Sequence, residues 1–289
     1  MTTVGQWIEG ARPRTLPAAV APVLVGTGAA AAGGDVRIGR ALLALVVSLA
    51  LQVAVNYAND YSDGVRGTDT QRVGPLRLVG SGVSSPAAVK RAAVAAFAVA
   101  AAAGLVLAAL TTWWLLAIGA TAMLAAWFYT GGSRPYGYRA LGELSVFVFF
   151  GLVATIGTAY VQLERVTATA VAGGIGCGAL ACALLVVNNL RDIPTDSVSG
   201  KRTLAVVLGE RRTRALYVAL VAVAFLVAVA LVAVTPWTLL TLAAVPLAGR
   251  PARTVAAGRR GRDLVPALRD TGRLQLAYAV LLAVALVLA

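Results

Sequence analysis

The chain is 289 residues long, 59% hydrophobic and only 13% charged, with a formal net charge of +13. A soluble domain of this size needs far more charge to cover its surface, so a soluble fold is excluded. The basic excess does not point to nucleic acid, because the Lys and Arg residues lie between apolar runs and leave no soluble basic face to carry it. With no His and two Cys, the chain also lacks the means for a zinc site or a Ser-His or Cys-His catalytic pair.

Met1 to Gly10 contain Glu9 and no basic stretch, unlike a cleaved signal peptide, so the first apolar run reads as a retained helix. A membrane crossing takes roughly 20 apolar residues. Runs of that kind stand at about 15–33, 38–58, 89–110, 112–130, 141–162, 167–189, 213–234, 236–249 and 272–289, the eighth being short. The expected fold is therefore all-α: one membrane domain over 1–289, an integral bundle of about nine transmembrane helices. The tight connections at Thr111-Thr112 and Thr235-Pro236 predict antiparallel neighbours. Cys177 and Cys182, five apart within one span, read as small packing residues on different helix faces.

If these spans alternate, 22 of the 25 basic residues fall on one side. The other side holds only Arg37, Arg40 and Arg165. This asymmetry predicts a cytoplasmic N-terminus and a C-terminus outside. Trp113, Trp114 and Trp237, at the outer ends of spans, read as interfacial anchors. The Gly-rich run 173–176 reads as close helix packing, and the basic stretch 250–273 as a loop against anionic lipid.

The two longest polar stretches, 59–88 and 190–212, both fall on the cytoplasmic side, and each opens on a cluster of Asn and Asp. The first runs Asn59-Asp60-Tyr61-Ser62-Asp63, with Arg66, Asp69 and Arg72 behind it. The second runs Asn188-Asn189-Leu190-Arg191-Asp192-Ile193-Pro194-Thr195-Asp196, followed by Lys201, Arg202 and Thr203. Five of the twelve acidic residues sit here. Carboxylates at the ends of membrane helices are costly unless paired or metal-bound. Asp60 and Asp63 share a helix face at i,i+3. Asp192 and Asp196 share one only if the helix persists, and Pro194 predicts that it ends or kinks there.

Mg²⁺ takes oxygen ligands, commonly one or two carboxylates with substrate phosphate and water. Two facing clusters would hold two or three ions around one diphosphate, with Asp60, Asp63, Asp192 and Asp196 as ligands and Asp69 as a weaker candidate. Arg66, Arg72, Lys201 and Arg202 would neutralise the remaining negative charge. Asn59, Asn188 and Asn189 would ligate or orient the carboxylates. Asn and Asp also cap helices and hold turns. Two similar clusters on one side, each followed by basic residues, favour the ligand reading over that one. A secondary transporter would instead place its carboxylates near mid-span.

These clusters resemble the two Asp-rich motifs of the UbiA superfamily of intramembrane prenyltransferases, and within it the branch that prenylates 1,4-dihydroxy-2-naphthoate. Arg12-Pro13-Arg14-Thr15-Leu16-Pro17, Asn59 through Asp69, Arg72 through Arg77, Tyr129 through Glu143 and Asn188 through Thr203 carry the resemblance. One departure from the general superfamily pattern is Gly67, which stands where a third Asp is common, with Asp69 two residues later as in the naphthoate branch. The resemblance implies a Mg²⁺-dependent enzyme of the plasma membrane. It would transfer a polyprenyl group from its diphosphate to the naphthoate with loss of CO₂, giving demethylmenaquinol for menaquinone biosynthesis. It further implies ionisation of the C1–O bond toward an allylic cation, with Tyr57, Tyr61 and Tyr129 as candidate aromatic shelters. A basic residue should bind the acceptor carboxylate, with Arg14 and Arg134 as candidates. Another acceptor, 4-hydroxybenzoate or a porphyrin, is the competing reading within the superfamily.

Overall fold

A computed structural model describes residues 2–68 and 76–289. Asp69 and Arg72 lie outside the described residues. Every expected span is occupied by helix, and several helices overrun the apolar runs. A short helix, α1 (Val4–Gly10), opens on a capping box in which Thr3 and Gln6 satisfy each other's backbone amides. It leads through Arg12, held at φ 56, into α2 (Pro17–Ala32), which starts on proline.

Next come α3 (Ile38–Arg66), α4 (Pro86–Leu110) and α5 (Trp114–Phe128). The fifth span begins as α6 (Gly142–Val146), passes through a π-helical turn at Phe147–Val153 and continues as α7 (Ala154–Leu163). Beyond it lie α8 (Ala168–Val198) and α9 (Leu204–Ala230), the latter broken at Gly209 with φ 72. A 3₁₀ stretch, Pro236–Ala244, leads into α10 (Val245–Ala256), and α11 (Val265–Val287) closes the chain.

Among the described residues six helices are long and apolar enough to cross a membrane, and the bent pair α1–α2 makes up to seven. With that many apolar helices, this is a multi-pass membrane protein. α5 is shorter, at 15 residues, and the segment 236–256 is part 3₁₀ and part amphipathic helix. The basic stretch 250–273 is mostly helical, in contrast to the expected loop.

One further expectation holds and one needs correction. α3 runs to Arg66, past the expected span end at 58, so Asp60 and Asp63 share a helix face as their i,i+3 spacing implies. α8 runs through Pro194 to Val198 instead of ending there. Proline removes one backbone donor, which costs the Leu190 carbonyl its partner. The next turns are held by other bonds: Thr195 Oγ1 donates to the Asp192 carbonyl, and the Lys201 amide donates to the Asp196 carbonyl at 2.9 Å. Asp192 and Asp196 therefore do share a helix face.

Two packed cores flank the site. One joins α2, α8, α9 and α11 around Leu180, Tyr217, Leu274 and Tyr278. The other joins α3 and α4 around Tyr57, Leu78 and Phe97. The glycines of α8 serve close packing, as expected. A Cβ on Gly151 would fall 2.5 Å from Gly178 Cα and 2.8 Å from the Gly174 carbonyl, so the π-turn and α8 are in backbone contact there. Both cysteines are free and buried. On the far side of the bundle, Arg37 and Arg40 both pair with Glu164, at 2.6 and 2.8 Å, and Arg165 reaches the Gly33 carbonyl.

Candidate active site

The ends of α3 and α8 converge on one cavity of about 1830 Å³. Asn59 and Asp63 line it from α3; Asn188, Asn189, Arg191, Asp192 and Asp196 line it from α8. Lys201, Tyr138 and Arg77 complete its polar end. Away from that end the walls are mostly apolar, formed by residues such as Leu51, Leu107, Met123, Phe149 and Leu184.

Asp63 is the hub. Its Oδ1 accepts from the Tyr138 hydroxyl at 2.5 Å and its Oδ2 from Lys201 Nζ at 3.1 Å. Arg77 stands 3.8 Å from the same oxygen. Asp63, Lys201 and Arg77 are all buried. A buried carboxylate is stable only with such partners. The backbone explains how they meet: the Arg202 amide donates to the Tyr138 carbonyl at 3.1 Å, and Arg139 and Arg202 pair as a single parallel bridge. That bridge sets Lys201 over the Tyr138 ring, 4.8 Å from its centroid. Burial and the neighbouring Asp63 charge raise the Tyr138 pKa, so its hydroxyl stays a donor.

The second cluster carries its own counter-charge. Arg191 holds the neighbouring Asp192 through two hydrogen bonds of 2.6 and 2.7 Å, and both side chains are almost fully buried. The same guanidinium donates to Asn188 Oδ1 at 2.9 Å. Asn59 Oδ1 accepts from Thr130 at 2.8 Å. Asn189 donates through Nδ2 to Glu143 Oε1 at 2.9 Å.

Several expected site residues are placed elsewhere. Asp60 is fully buried but does not line the cavity; its carboxylate accepts from the Leu78 and Val79 amides at 2.7 and 3.1 Å, where the chain returns from its loop. Arg66 donates to the Thr130 and Gly132 carbonyls and lies against the Tyr138 ring. Arg134 and Arg202 are exposed and do not line the cavity. Arg14 lines it, as do Arg12, Arg262 and Arg269. Of the three tyrosines named as shelters, only Tyr129 lines the cavity. Tyr57 donates to the Trp7 carbonyl, and Tyr61 stacks on Trp127.

Sequence reasoning passed over Tyr138, Arg77 and Arg191. All three lie inside the segments that carry the family resemblance, and that is the one signal by which they could have been found.

Among the described residues no group of three or more His, Cys, Asp or Glu can hold a metal ion unaided. The donor set nonetheless fits Mg²⁺. The carboxylates of Asp63 on α3 and of Asp192 and Asp196 on α8 are hard oxygen donors lining the same cavity, and phosphate and water ordinarily complete the Mg²⁺ shell.

The model of the UbiA prenyltransferase family matches residues 19–269. A 1,4-dihydroxy-2-naphthoate octaprenyltransferase of Mycobacterium tuberculosis (strain ATCC 25618 / H37Rv) is 55% identical over 286 residues, covering 99% of this chain and 98% of its own. The enzyme of the same name from Escherichia coli (strain K12) is 39% identical over 260 residues, covering 86% and 84%. Among solved structures, a UbiA homolog from Archaeoglobus fulgidus bound to DMAPP and Mg²⁺ superposes with a TM-score of 0.68 at 15% identity, covering 98% of this chain and 99% of that one. At that identity the likeness establishes the fold.

Proposed function

The chain belongs to the UbiA prenyltransferase family, and from that premise we propose that it transfers a polyprenyl group from polyprenyl diphosphate to 1,4-dihydroxy-2-naphthoate. The products are the prenylated, decarboxylated naphthoquinol (demethylmenaquinol), CO₂ and diphosphate, which makes it a plasma-membrane enzyme of menaquinone biosynthesis. The observation that carries the reading is the continuity of one cavity from a carboxylate-and-cation end into apolar walls. A substrate with a charged head and a long hydrocarbon tail fits such a shape. The acceptor assignment is supported by relatives of that name over nearly the whole chain.

The diphosphate belongs at the end formed by Asp63, Asp192, Asp196, Lys201, Arg77 and Arg191. Asp63, Asp192 and Asp196 would hold Mg²⁺ there, and the bound ion would supply charge withdrawal from the leaving diphosphate. Lys201 and Arg191 are donors already oriented beside those carboxylates, placed to receive phosphate oxygens. Arg77, near Asp63, adds a third positive charge. The prenyl chain runs along the apolar wall, which keeps water from the reacting carbon. Tyr129 and Tyr138 line the same cavity, and an aromatic ring favours a cationic neighbour, as Lys201 over Tyr138 illustrates. Arg14 is the candidate for the acceptor carboxylate, because Arg134 does not reach the cavity.

The test is an acceptor screen with purified protein, Mg²⁺ and one prenyl diphosphate, comparing the naphthoate with 4-hydroxybenzoate. The proposal expects prenylated naphthoquinol by mass, with one CO₂ released per diphosphate. Preference for hydroxybenzoate, its carboxyl group retained, would overturn the acceptor while leaving the diphosphate chemistry in place.

A further inference from the structure

Glu143 stands at the start of α6, buried, and does not line the cavity. Its Oε1 accepts from Asn189 Nδ2 at 2.9 Å, while Oε2 is buried with no hydrogen-bond partner among the described residues. Cys182 Sγ lies 3.1 Å from the Glu143 carbonyl and donates to it, so α6 and α8 are tied at this point twice. A buried acidic side chain in a membrane helix is expensive and defaults to a functional reading. This one does not line the cavity, and among the described residues it touches no cation.

What Glu143 does is decide which way round the Asn189 amide sits. An amide offers two donors on one end and an acceptor on the other. Glu143 Oε1 accepts from Nδ2, so Oδ1 is left to the cavity that Asn189 lines. Asn189 sits three residues before Asp192, about 4.5 Å along the helix axis. Its cavity-lining neighbours on α8 in the other direction are Asn188, whose Oδ1 already accepts from Arg191, and then Leu185 and Leu184, which are apolar. With Asn188 Oδ1 engaged by Arg191, the Asn189 carbonyl oxygen at the edge of that apolar stretch is suited to take a hydroxyl donor.

We propose that Glu143 is a positioning residue: by fixing the Asn189 amide it presents Oδ1 as the acceptor for a ring hydroxyl of the aromatic substrate. The inference rests on a hydroxylated aromatic acceptor, and it holds for either compound in the screen above. It makes this pair a determinant of acceptor selectivity, separate from the diphosphate-binding carboxylates.

The experiment is steady-state kinetics on purified full-length protein, using whichever of the two hydroxylated acceptors the wild type prenylates. Glu143→Met keeps the volume and removes the acceptor of the Asn189 bond. It should raise the acceptor KM roughly tenfold, the cost of one misdirected hydrogen bond. The KM for prenyl diphosphate and the Mg²⁺ half-saturation should stay within about twofold. Glu143→Gln, whose Oε1 can still accept from Asn189, should recover most of the loss. In an Asn189→Ala background, itself raised in acceptor KM, Glu143→Met should add nothing further.

Equal shifts in the diphosphate KM or the Mg²⁺ requirement would overturn the proposal. So would multiplying effects in the double variant, or a Gln variant as impaired as Met. If Glu143→Met does not extract as folded protein, Asn189→Ala decides alone, since a rise confined to the diphosphate KM refutes the assignment. Preference of the wild type for hydroxybenzoate bears on the naphthoate reading only.

Discussion

Lys201 Nζ lies 3.1 Å from Asp63 Oδ2, joining two sequence clusters 138 residues apart inside a buried pocket. The pair couples the site to the fold, since the Lys201 amide also donates to the Asp196 carbonyl. Lys201→Met should therefore cost twice. Turnover should fall with the loss of a phosphate donor. Thermal unfolding in detergent should show a destabilisation of up to about 3 kcal/mol, because Asp63 keeps only part of its compensation. Diphosphate release and a melting curve on the same preparation measure both effects.

The carboxylates divide by environment. Asp63, Asp192 and Asp196 line the cavity, whereas Asp60 holds the Leu78 and Val79 amides. Asn substitutions at the first three should lower turnover on the order of a hundredfold or more and raise the Mg²⁺ needed for half-maximal rate. Asp60→Asn should leave the Mg²⁺ requirement unchanged and instead raise cleavage by trypsin at Arg77. Chelation with EDTA should abolish diphosphate release, and added Mg²⁺ should restore it; a chelator-resistant protein would defeat the metal reading.

Tyr138→Phe removes the hydroxyl that donates to Asp63 at 2.5 Å and keeps the ring under Lys201. Turnover should drop about tenfold to a hundredfold, as expected for a hydrogen bond to a charged group. The wild-type hydroxyl is held protonated by burial. Any alkaline limb of the rate profile should therefore persist in the Phe variant, which a rate titration from neutral pH upward would check.

On the opposite side, hydrogen bonds from Arg40 and Arg37 hold the exposed Glu164 below the ordinary carboxylate value of 4.5. A lowered folded-state pKa means the stabilisation is complete above that value and is lost as pH falls through the lowered one. Melting temperature should decline below that pH in the wild type. Glu164→Gln should melt lower at neutral pH and show a shallower decline in acid.

The basic-residue asymmetry predicts sidedness. Reporters fused after Ser84 and Gly200 should report cytoplasm, and one after Val166 the outside. A cytoplasmic signal from the last would reverse the orientation.

The site was legible where charge is costly. Asp63, Asp192, Asp196 and Lys201 stood out because a membrane chain seldom carries such residues at span ends without cause. The continuation of α8 through Pro194 was not legible, because local backbone preference is there outweighed by hydrogen bonds around Asp192 and Asp196. Asp60 and Asp63 look equivalent at i,i+3, and only the path of the returning chain at Leu78 and Val79 separates them. Tyr138 owes its place to pairing between the 138–139 and 202 backbones, which no helical period encodes. Glu143 was passed over as a site residue because its partner, Asn189, lies 46 positions away.

The two clusters differ in when their charges can be met during synthesis. Asp192 has its partner in the adjacent residue, so α8 can enter the bilayer as a locally neutral pair while still emerging from the ribosome. The side chains that hydrogen-bond to Asp63, Tyr138 and Lys201, are both made long after it. The end of α3 must therefore stay near water, or borrow a nearby arginine, until the strand of chain before α9 has been translated. Truncation ahead of residue 201 should leave the Asp63 carboxylate with only Tyr138 and Arg77 as partners among the described residues, and the end of α3 less firmly held.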